Sequence, residues 1–527
     1  MWRSHRSERR RVGRATPARS TRISVRWLLL CSYAVLGVSW VFSDPPFSGP
    51  DEAAHFLRAV GISNGALIGP PAPGPLIGLD PLQQQTIDAT TRAVTVPAGL
   101  SPDDYWCEVD DPYLSAACLL HPTSNANSIR DASYVGTYEP LPYLPAALAL
   151  RAALVVDATH HAPSALRLAR LATLAAWLAL LAVAIWMLWD ASVGAPSLIG
   201  LILAVTPMVV FLGATVTDSS AEIMASLAFF ATLLRIGRDG GRGASQRLWL
   251  LAGACGLVLA LSRPLGPAWV VLDLLVWSVF VGPRVAWRAL QRGGSAMLMS
   301  ATVVFAAIAA NRYWETTYEP RTTLTLLPSW SNVSIALTQF HRALSDLVGN
   351  FGYLTNPLSP IAVWAWALAA ALLAAVAIAV GDLAARVALI GGLVIAFVFP
   401  VYFVAASYIY TGFGLQGRHF LPFVVVLPLA AAETLRRRSH RLAAARPRQL
   451  LGLVAVLAGV VQFAAWWTNA HRYAVGIGGP TWFLPVAQWS PPGDWVLWML
   501  LAGAASLALA LCWLRPPDTE LGPLTQS

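Results

Sequence analysis

The chain has 527 residues, of which 56% are hydrophobic and 12% charged, and 36 basic against 27 acidic residues leave a formal charge of +9. Soluble domains hold about 45–50% apolar and about 25% charged residues, so a soluble globular protein is excluded. Every basic residue is arginine, and the arginines stand at the ends of apolar segments rather than on one basic domain. That distribution argues for a membrane and against a nucleic-acid partner.

A helix needs about 20 mostly apolar residues to cross a hydrocarbon core roughly 30 Å thick. This ruler predicts an all-α polytopic membrane protein with about twelve (11–13) spans, near 27–42, 165–189, 197–215, 219–234, 248–261, 268–281, 295–310, 361–380, 387–408, 420–435, 451–467 and 496–514. Nine arginines from Arg3 to Arg26 precede the first span, and no small-x-small cleavage site follows it. It reads as an uncleaved anchor with a cytoplasmic tail over 1–26. Three further basic loops belong inside by the positive-inside rule: one with Arg235, Arg238, Arg242 and Arg247, one with Arg284, Arg288 and Arg292, and one with Arg436, Arg437, Arg438, Arg441, Arg446 and Arg448.

The apolar stretch Leu141 to Val156 is interrupted by Pro142, Pro145 and Arg151, and if it crossed, every later basic loop would move outside. It is therefore expected to lie on the outer membrane surface. The result is one membrane domain over 27–514 in the plasma membrane, both termini cytoplasmic, a tail over 515–527, and external loops over 43–164 and 311–359.

The first loop opens with PPFSGPDEAAHFLRAVGISNGAL. Pro50, Asp51 and Glu52 suit a helix start, where acids are favoured by the dipole and proline by its fixed φ. Either the acids cap a surface helix, or they form a catalytic pair with His55 on the same side. Further along, Cys107 and Cys118 lie where disulfides persist; a bridge and two unpaired thiols remain the alternatives. A second external acid, Asp218 in GATVTDSSAE, is either a cap, with Thr217 beside it and Glu222 in the first turn, or a partner for Asp51. A divalent cation, if one is held, would sit on Asp51 and Asp218.

Arg263 in LALSRPLGPAW and Arg418 in YTGFGLQGRHFLPF fall outside, against the inside bias for basic residues. They either anchor helix ends by snorkelling or hold a phosphate bidentately. Gly412, Gly414 and Gly417 beside Gln416 would let backbone approach a ligand closely. The loop 311–359, with an amphipathic stretch around Val333 to Val348 and then GNFGYLTNPLSP, is either a lid over the site or a connector.

Five segments in this order, PPFSGPDEAAHFLRA, YEPLPYLPAAL, TPMVVFLGATVTDSSAE, GNFGYLTNPLSP and GLQGRHFLPF, resemble a family of predicted bacterial multi-pass membrane proteins of unknown function within the GT-C glycosyltransferase superfamily. The resemblance implies a GT-C-like fold and an enzyme that moves a sugar from a polyprenyl-phosphate donor to an extracytoplasmic glycan or lipid acceptor, usually with inversion. It implies Asp51, Glu52 and Asp218 as the catalytic acids, with Asp51 the general base, and juxtamembrane helices over 49–65 and 141–156. His55, Arg58, Tyr138, Glu139, Tyr143, Arg263, Tyr353, Gln416 and Arg418 become expected substrate-binding residues, and membrane lipid an expected partner. One departure stands out, since related enzymes commonly carry lysine or histidine before the proline of the second juxtamembrane helix, where this chain has Glu139. The alternative reading is a transporter or flippase for a lipid-linked saccharide, for which Asp273 is the main intramembrane ionisable group.

Overall fold

The computed structural model describes residues 24–76, 80–97, 100–105, 107, 109, 111–120, 128–155, 162–239, 245–319, 327–438 and 446–514. Most of the arginine-rich tail, Arg242, Arg441 and the tail 515–527 lie outside the described residues.

Each of the twelve apolar segments is helical. In chain order, α1 (Val25–Ser43) leads into the first long loop, which holds α2 (Glu52–Ser63), α3 (Pro81–Thr90) and α4 (Leu144–Val155). Then follow α5 (Ala162–Leu188), α6 (Ile199–Ala204), α7 (Pro207–Gly213), α8 (Asp218–Arg238), α9 (Gln246–Ala260), α10 (Gly266–Val281), α11 (Pro283–Arg292) and α12 (Gly294–Tyr318). The second long loop carries α13 (Trp330–Thr338) and α14 (Phe340–Val348), before α15 (Pro360–Val380), α16 (Leu383–Thr411), α17 (Leu421–Val424), α18 (Val426–Arg437), α19 (Arg446–Val475) and α20 (Asp494–Ala510).

Among the described residues eight helices are long and apolar enough to cross a membrane, up to ten if each of two bent pairs is one span, and α9 and α20 are shorter apolar helices. One bend, of 73°, separates α6 from α7. Pro207 lacks the N–H that would continue α6, and Thr206 restarts the chain by accepting from the Val209 amide at 3.3 Å. The other, of 110°, follows Gly282, whose φ of +87° suits glycine alone. It turns α11 away from α10, so Arg284, Arg288 and Arg292, expected in a loop, fall at helical spacing on an amphipathic helix.

The bundle is built by α5 packing on α1, α4 and α8, α12 and α8 on α9, α10 on α16, α15 on α18, and α20 on α1 and α19. α8 and the segment Gly417–Arg437 that holds α17 and α18 are each 83% buried over their apolar windows, whereas α12 and α15 are only 22% buried. The exposed Phe305, Ile361, Trp364 and Leu368 on those two helices are a lipid-facing surface. The arginine-rich end is tied together by Glu433 of α18, fully buried among Arg238 (2.7 Å), Arg436 (2.8 Å) and Arg437 (3.3 Å).

The loop face departs from an all-helical expectation in detail. β1 (Arg92–Pro97) pairs antiparallel with β2 (Ser128–Ser133), Arg92 opposite Ser133, and this ribbon rests on α2 through the Ser133 hydroxyl, which donates to the Ala54 carbonyl at 2.7 Å. The segments expected as juxtamembrane helices are α2 and α4, and at 12 residues each neither is long enough to span. Cys107 and Cys118 are disulfide-bonded, which decides between the two alternatives left by the sequence. In the second loop, α13 and α14 are followed by a hairpin of β3 (Asn350–Phe351) and β4 (Asn356–Pro357).

Candidate functional site

Asp51 precedes α2 with a left-handed backbone (φ 59°) and no side-chain capping bond. The cap reading therefore fails for it. Its carboxylate turns outward from the helix instead: Tyr134 Oη donates to Oδ1 at 2.8 Å and Arg418 Nη2 to Oδ2 at 2.7 Å. Asp tolerates this conformation better than most residues, but it remains sparsely populated and is typical of functional sites. The side chain keeps 34% of its surface exposed. Burial would raise the carboxyl, yet the Arg418 charge and the two hydrogen bonds, from Arg418 and Tyr134, outweigh it and hold Asp51 well below the usual carboxylate range.

Glu52, expected as its catalytic partner, points the other way. It is fully buried and forms a two-pronged ion pair with Arg170 of α5, Nε to Oε1 at 2.8 Å and Nη2 to Oε2 at 2.5 Å. The amides of Val216 and Gly49 donate to the same carboxylate at 2.9 and 3.3 Å. With its oxygens so occupied and no solvent access, Glu52 fastens the start of α2 to the bundle and is not a reacting group.

Asp218 is the first residue of α8, and the cap is its neighbour Thr217, whose hydroxyl accepts from the Ser219 amide at 3.3 Å. The Asp218 carboxylate faces Arg263 Nε at 3.1 Å and is 1% exposed. Arg263, in the turn between α9 and α10, also donates to Ser219 Oγ at 3.1 Å and lies 3.8 Å from Glu222. Glu222 does not close a capping box; it accepts from the Trp269 indole at 2.7 Å.

His55 links the two acid–arginine pairs. It sits one turn after Asp51 on α2, its Nε2 4.0 Å from Asp218, its Nδ1 2.6 Å from Tyr143 Oη, and its ring stacked on Tyr143. Burial lowers its pKa despite the Asp218 and Asp51 charges, so it is neutral at physiological pH. Tyr138 packs against the same ring, and burial raises both phenols above their ordinary value. Tyr353, in the turn between β3 and β4, lies close enough to Tyr134 for their phenols to interact.

Arg418 lies in a one-turn 3₁₀ helix whose Gly417 approaches α14 so closely that an added Cβ would come within 2.0 Å of the Ala343 carbonyl. Gln416 accepts from Arg418 Nε at 3.1 Å and also lines a cleft of about 690 Å³ between α14, the start of α15 and the irregular segment 414–416. The second loop thus supplies one wall of the site. Arg58, by contrast, is spent on the Tyr138 carbonyl (2.7 Å) and the Leu67 carbonyl (2.6 Å), which ties α2 to the loop behind it. It is not placed to meet a substrate.

Glu139, just before the 3₁₀ turn Leu141–Tyr143, is 2% exposed and accepts from Asn311 Nδ2 at 2.6 Å. Burial first, then the neighbouring Glu319, pushes its pKa up to about 9. Sequence reasoning missed Asn311, which it placed in an external loop; α12 runs on to Tyr318 because no helix breaker intervenes before Pro320. It also missed Arg170. An arginine inside an apolar span was the signal that could have found it.

A divalent cation on Asp51 and Asp218 does not fit this arrangement. Each carboxylate is already paired with an arginine, and among the described residues no group of three or more His, Cys, Asp or Glu side chains is placed to hold a metal.

The residues that meet here, from Asp51 to Arg418, all fall within one family match. No curated protein matches the chain significantly. The family described as "Predicted membrane protein (DUF2142)" matches residues 34–427, most of the chain, and the protein belongs to that family.

Proposed function

We propose that this protein is a membrane glycosyltransferase of GT-C type. It moves a sugar from a polyprenyl-phosphate donor to a hydroxyl of a cell-envelope glycan or lipid on the extracytoplasmic side. The observation that carries this reading is Asp51: an ionised, partly exposed carboxylate in a left-handed turn, aimed by Tyr134 and Arg418 at the junction of both long loops and the helix bundle.

Asp51 takes the proton of the acceptor hydroxyl, and the oxygen attacks the anomeric carbon. The bond from that carbon to the phosphate oxygen breaks, and its electron pair leaves with the lipid phosphate. Arg418 and Arg263 supply fixed positive charge for the departing phosphate. Each of the two arginines rests on a carboxylate. Phosphate binding exchanges one anion for another at the guanidinium, and Asp51, released from Arg418, regains basicity at the moment it is needed. His55 and Asp218 hold the second pair in register.

The resemblance of the first loop to GT-C enzymes and the collection of Arg238, Arg436, Arg437 and Arg438 at the opposite end support the orientation, with both termini cytoplasmic. Replacing Asp51 with Asn tests the reading. The variant keeps the left-handed turn, and glycan transfer should fall by about 10² or more with membrane expression unchanged. Normal envelope glycans in that strain would refute the role.

A transporter is the second reading, and one observation favours it. Asp273 of α10 is fully buried in the bundle, accepting from Ser226 at 2.9 Å on one oxygen, with no hydrogen-bond partner for the other among the described residues. Lipid-linked saccharide movement in vesicles that survives Asp51→Asn and is lost in Asp273→Asn would favour this reading.

A further inference from the structure

The 110° bend at Gly282 sets α11 close to perpendicular to α10. α10 holds one ionisable residue, the buried Asp273, and exposes Val271, Leu274 and Leu275, so it runs through the hydrocarbon with the rest of the bundle. α11 therefore lies along the membrane surface. Three arginines in its ten residues keep it out of the apolar layer. The end of α10 from which it turns belongs to the arginine-rich end of the bundle: Arg437 donates to the Phe280 carbonyl at 3.4 Å, and its guanidinium lies over the Phe280 ring at 4.3 Å.

At about 3.6 residues per turn the helix has two distinct faces. Ala286 and Ala289 are buried against the bundle, whereas Arg284, Trp287, Arg288, Gln291 and Arg292 are all exposed on the other side. α11 contains no Asp or Glu. Arg288 spends Nε on the Arg284 carbonyl at 3.2 Å, and neither of these two arginines forms an ion pair among the described residues. A basic face turned only to water has no use for an indole, yet Trp287 keeps 62% of its surface open beside Arg284 and Arg288. Indoles are favoured at the headgroup level of a bilayer, where the ring is half in apolar surroundings and its N–H meets polar groups. Guanidinium groups bind phosphate oxygens bidentately. With no acid on the helix, the uncompensated charge favours a headgroup of net negative charge over a zwitterionic one, which brings its own cation.

We propose that the exposed face of α11 is a docking surface for anionic phospholipid headgroups, in the leaflet at the arginine-rich end of the bundle. Arg284 and Arg288 hold the phosphates, and Trp287 seats the helix at headgroup depth. This surface lies at the opposite end of the bundle from Asp51 and does not depend on the transferase reading.

The test titrates the delipidated full-length protein in detergent with phosphatidylglycerol and with phosphatidylcholine, and reads bound lipid by native mass spectrometry. An arginine near an anionic headgroup should favour phosphatidylglycerol about fivefold, and two of them about 25-fold together. Arg284→Gln and Arg288→Gln should each lose about fivefold of that preference, and the double variant should bring the two lipids level. Both side chains are exposed and glutamine is a good helix former, so the fold should persist in all three. Arg312→Gln, which removes an exposed guanidinium at the far end of α12, should leave the preference intact. Equal binding of the two lipids by the wild-type protein would overturn the proposal, as would a preference that survives in the double variant. Loss of the preference in inorganic phosphate equimolar with the lipid would assign the face to free anions and overturn the lipid as its occupant.

Discussion

Neighbouring carboxylates at the start of α2 should respond to substitution in opposite ways, and Glu52→Ala is the sharper case. Its carboxylate is sealed from solvent and takes two hydrogen bonds from Arg170 and two from backbone amides, and the next acid within electrostatic reach of Arg170, Asp44, makes no side-chain ion pair with it. Arg170 would keep its bonds to the Val41, Asp44 and Pro45 carbonyls at 3.3, 3.0 and 2.9 Å, but carbonyls carry no net charge to balance it. Removing one member of a buried pair costs about 3–5 kcal/mol, much of it the penalty of the charge left behind. A marginally stable domain has about 5–15 kcal/mol in all, so the loss should appear as a large drop in the midpoint of thermal unfolding in detergent, with poor recovery from the membrane. The paired change Glu52→Leu with Arg170→Leu should regain much of it, because no isolated charge remains. Wild-type thermal stability in Glu52→Ala would refute the reasoning, as would a paired variant no better than Glu52→Ala. Asp51→Asn, one residue away, should cost less stability than Glu52→Ala because Asp51 keeps 34% of its side chain in solvent, while transfer should fall by about 10² or more.

Other consequences follow from the same geometry. Glu139 has its pKa raised from 4.5 to about 9, so between those values the native state binds more protons than the unfolded chain and stability falls as pH rises; thermal midpoints from pH 5 to 9 should decline less in Glu139→Gln than in wild type. Gly417→Ala would drive a Cβ into the Ala343 carbonyl and disturb the Gly417 amide bond to Asp346 (3.1 Å), displacing Arg418, and should reduce transfer as severely as Arg418→Ala, read by envelope glycan analysis. Reducing the Cys107–Cys118 bridge, which spans a sequence separation of 11, should cost about 3 kcal/mol of loop-closure entropy and expose the first loop to protease before the bundle melts.

The bundle was legible in the sequence because lipid imposes one rule on every span: enough apolar residues to cross, with backbone polar groups satisfied inside the helix. Each of the twelve apolar segments is helical, and among the described residues eight helices, or ten if each bent pair is one span, are long and apolar enough to cross. The rule says nothing about where a helix bends or ends once the residues stay apolar enough. Pro207 and Gly282 carried the bends, and the extension of α12 through Asn311 had no local mark except the distant Pro320. The ribbon of β1 and β2 escaped notice because its strands pair distant positions, Pro97 with Ser128 and Arg92 with Ser133, through contacts made only after folding.

At the site, residue type found the ionisable groups and could not sort them. Asp51 and Glu52 are adjacent, acidic and placed at the same helix start, so no sequence rule separates them. Two facts of the fold do. The left-handed backbone at residue 51 throws its carboxylate off the helix toward Tyr134 and Arg418, and Arg170, one apolar span away, draws Glu52 inward. An arginine in an apolar span needs a buried carboxylate, and Glu52 supplies it; this leaves Asp51 partly exposed and paired with Arg418. The division of labour between the two acids therefore depends on Arg170. Its replacement by leucine should return Glu52 to the surface chemistry it resembles, or unfold the start of α2 and take Asp51 with it.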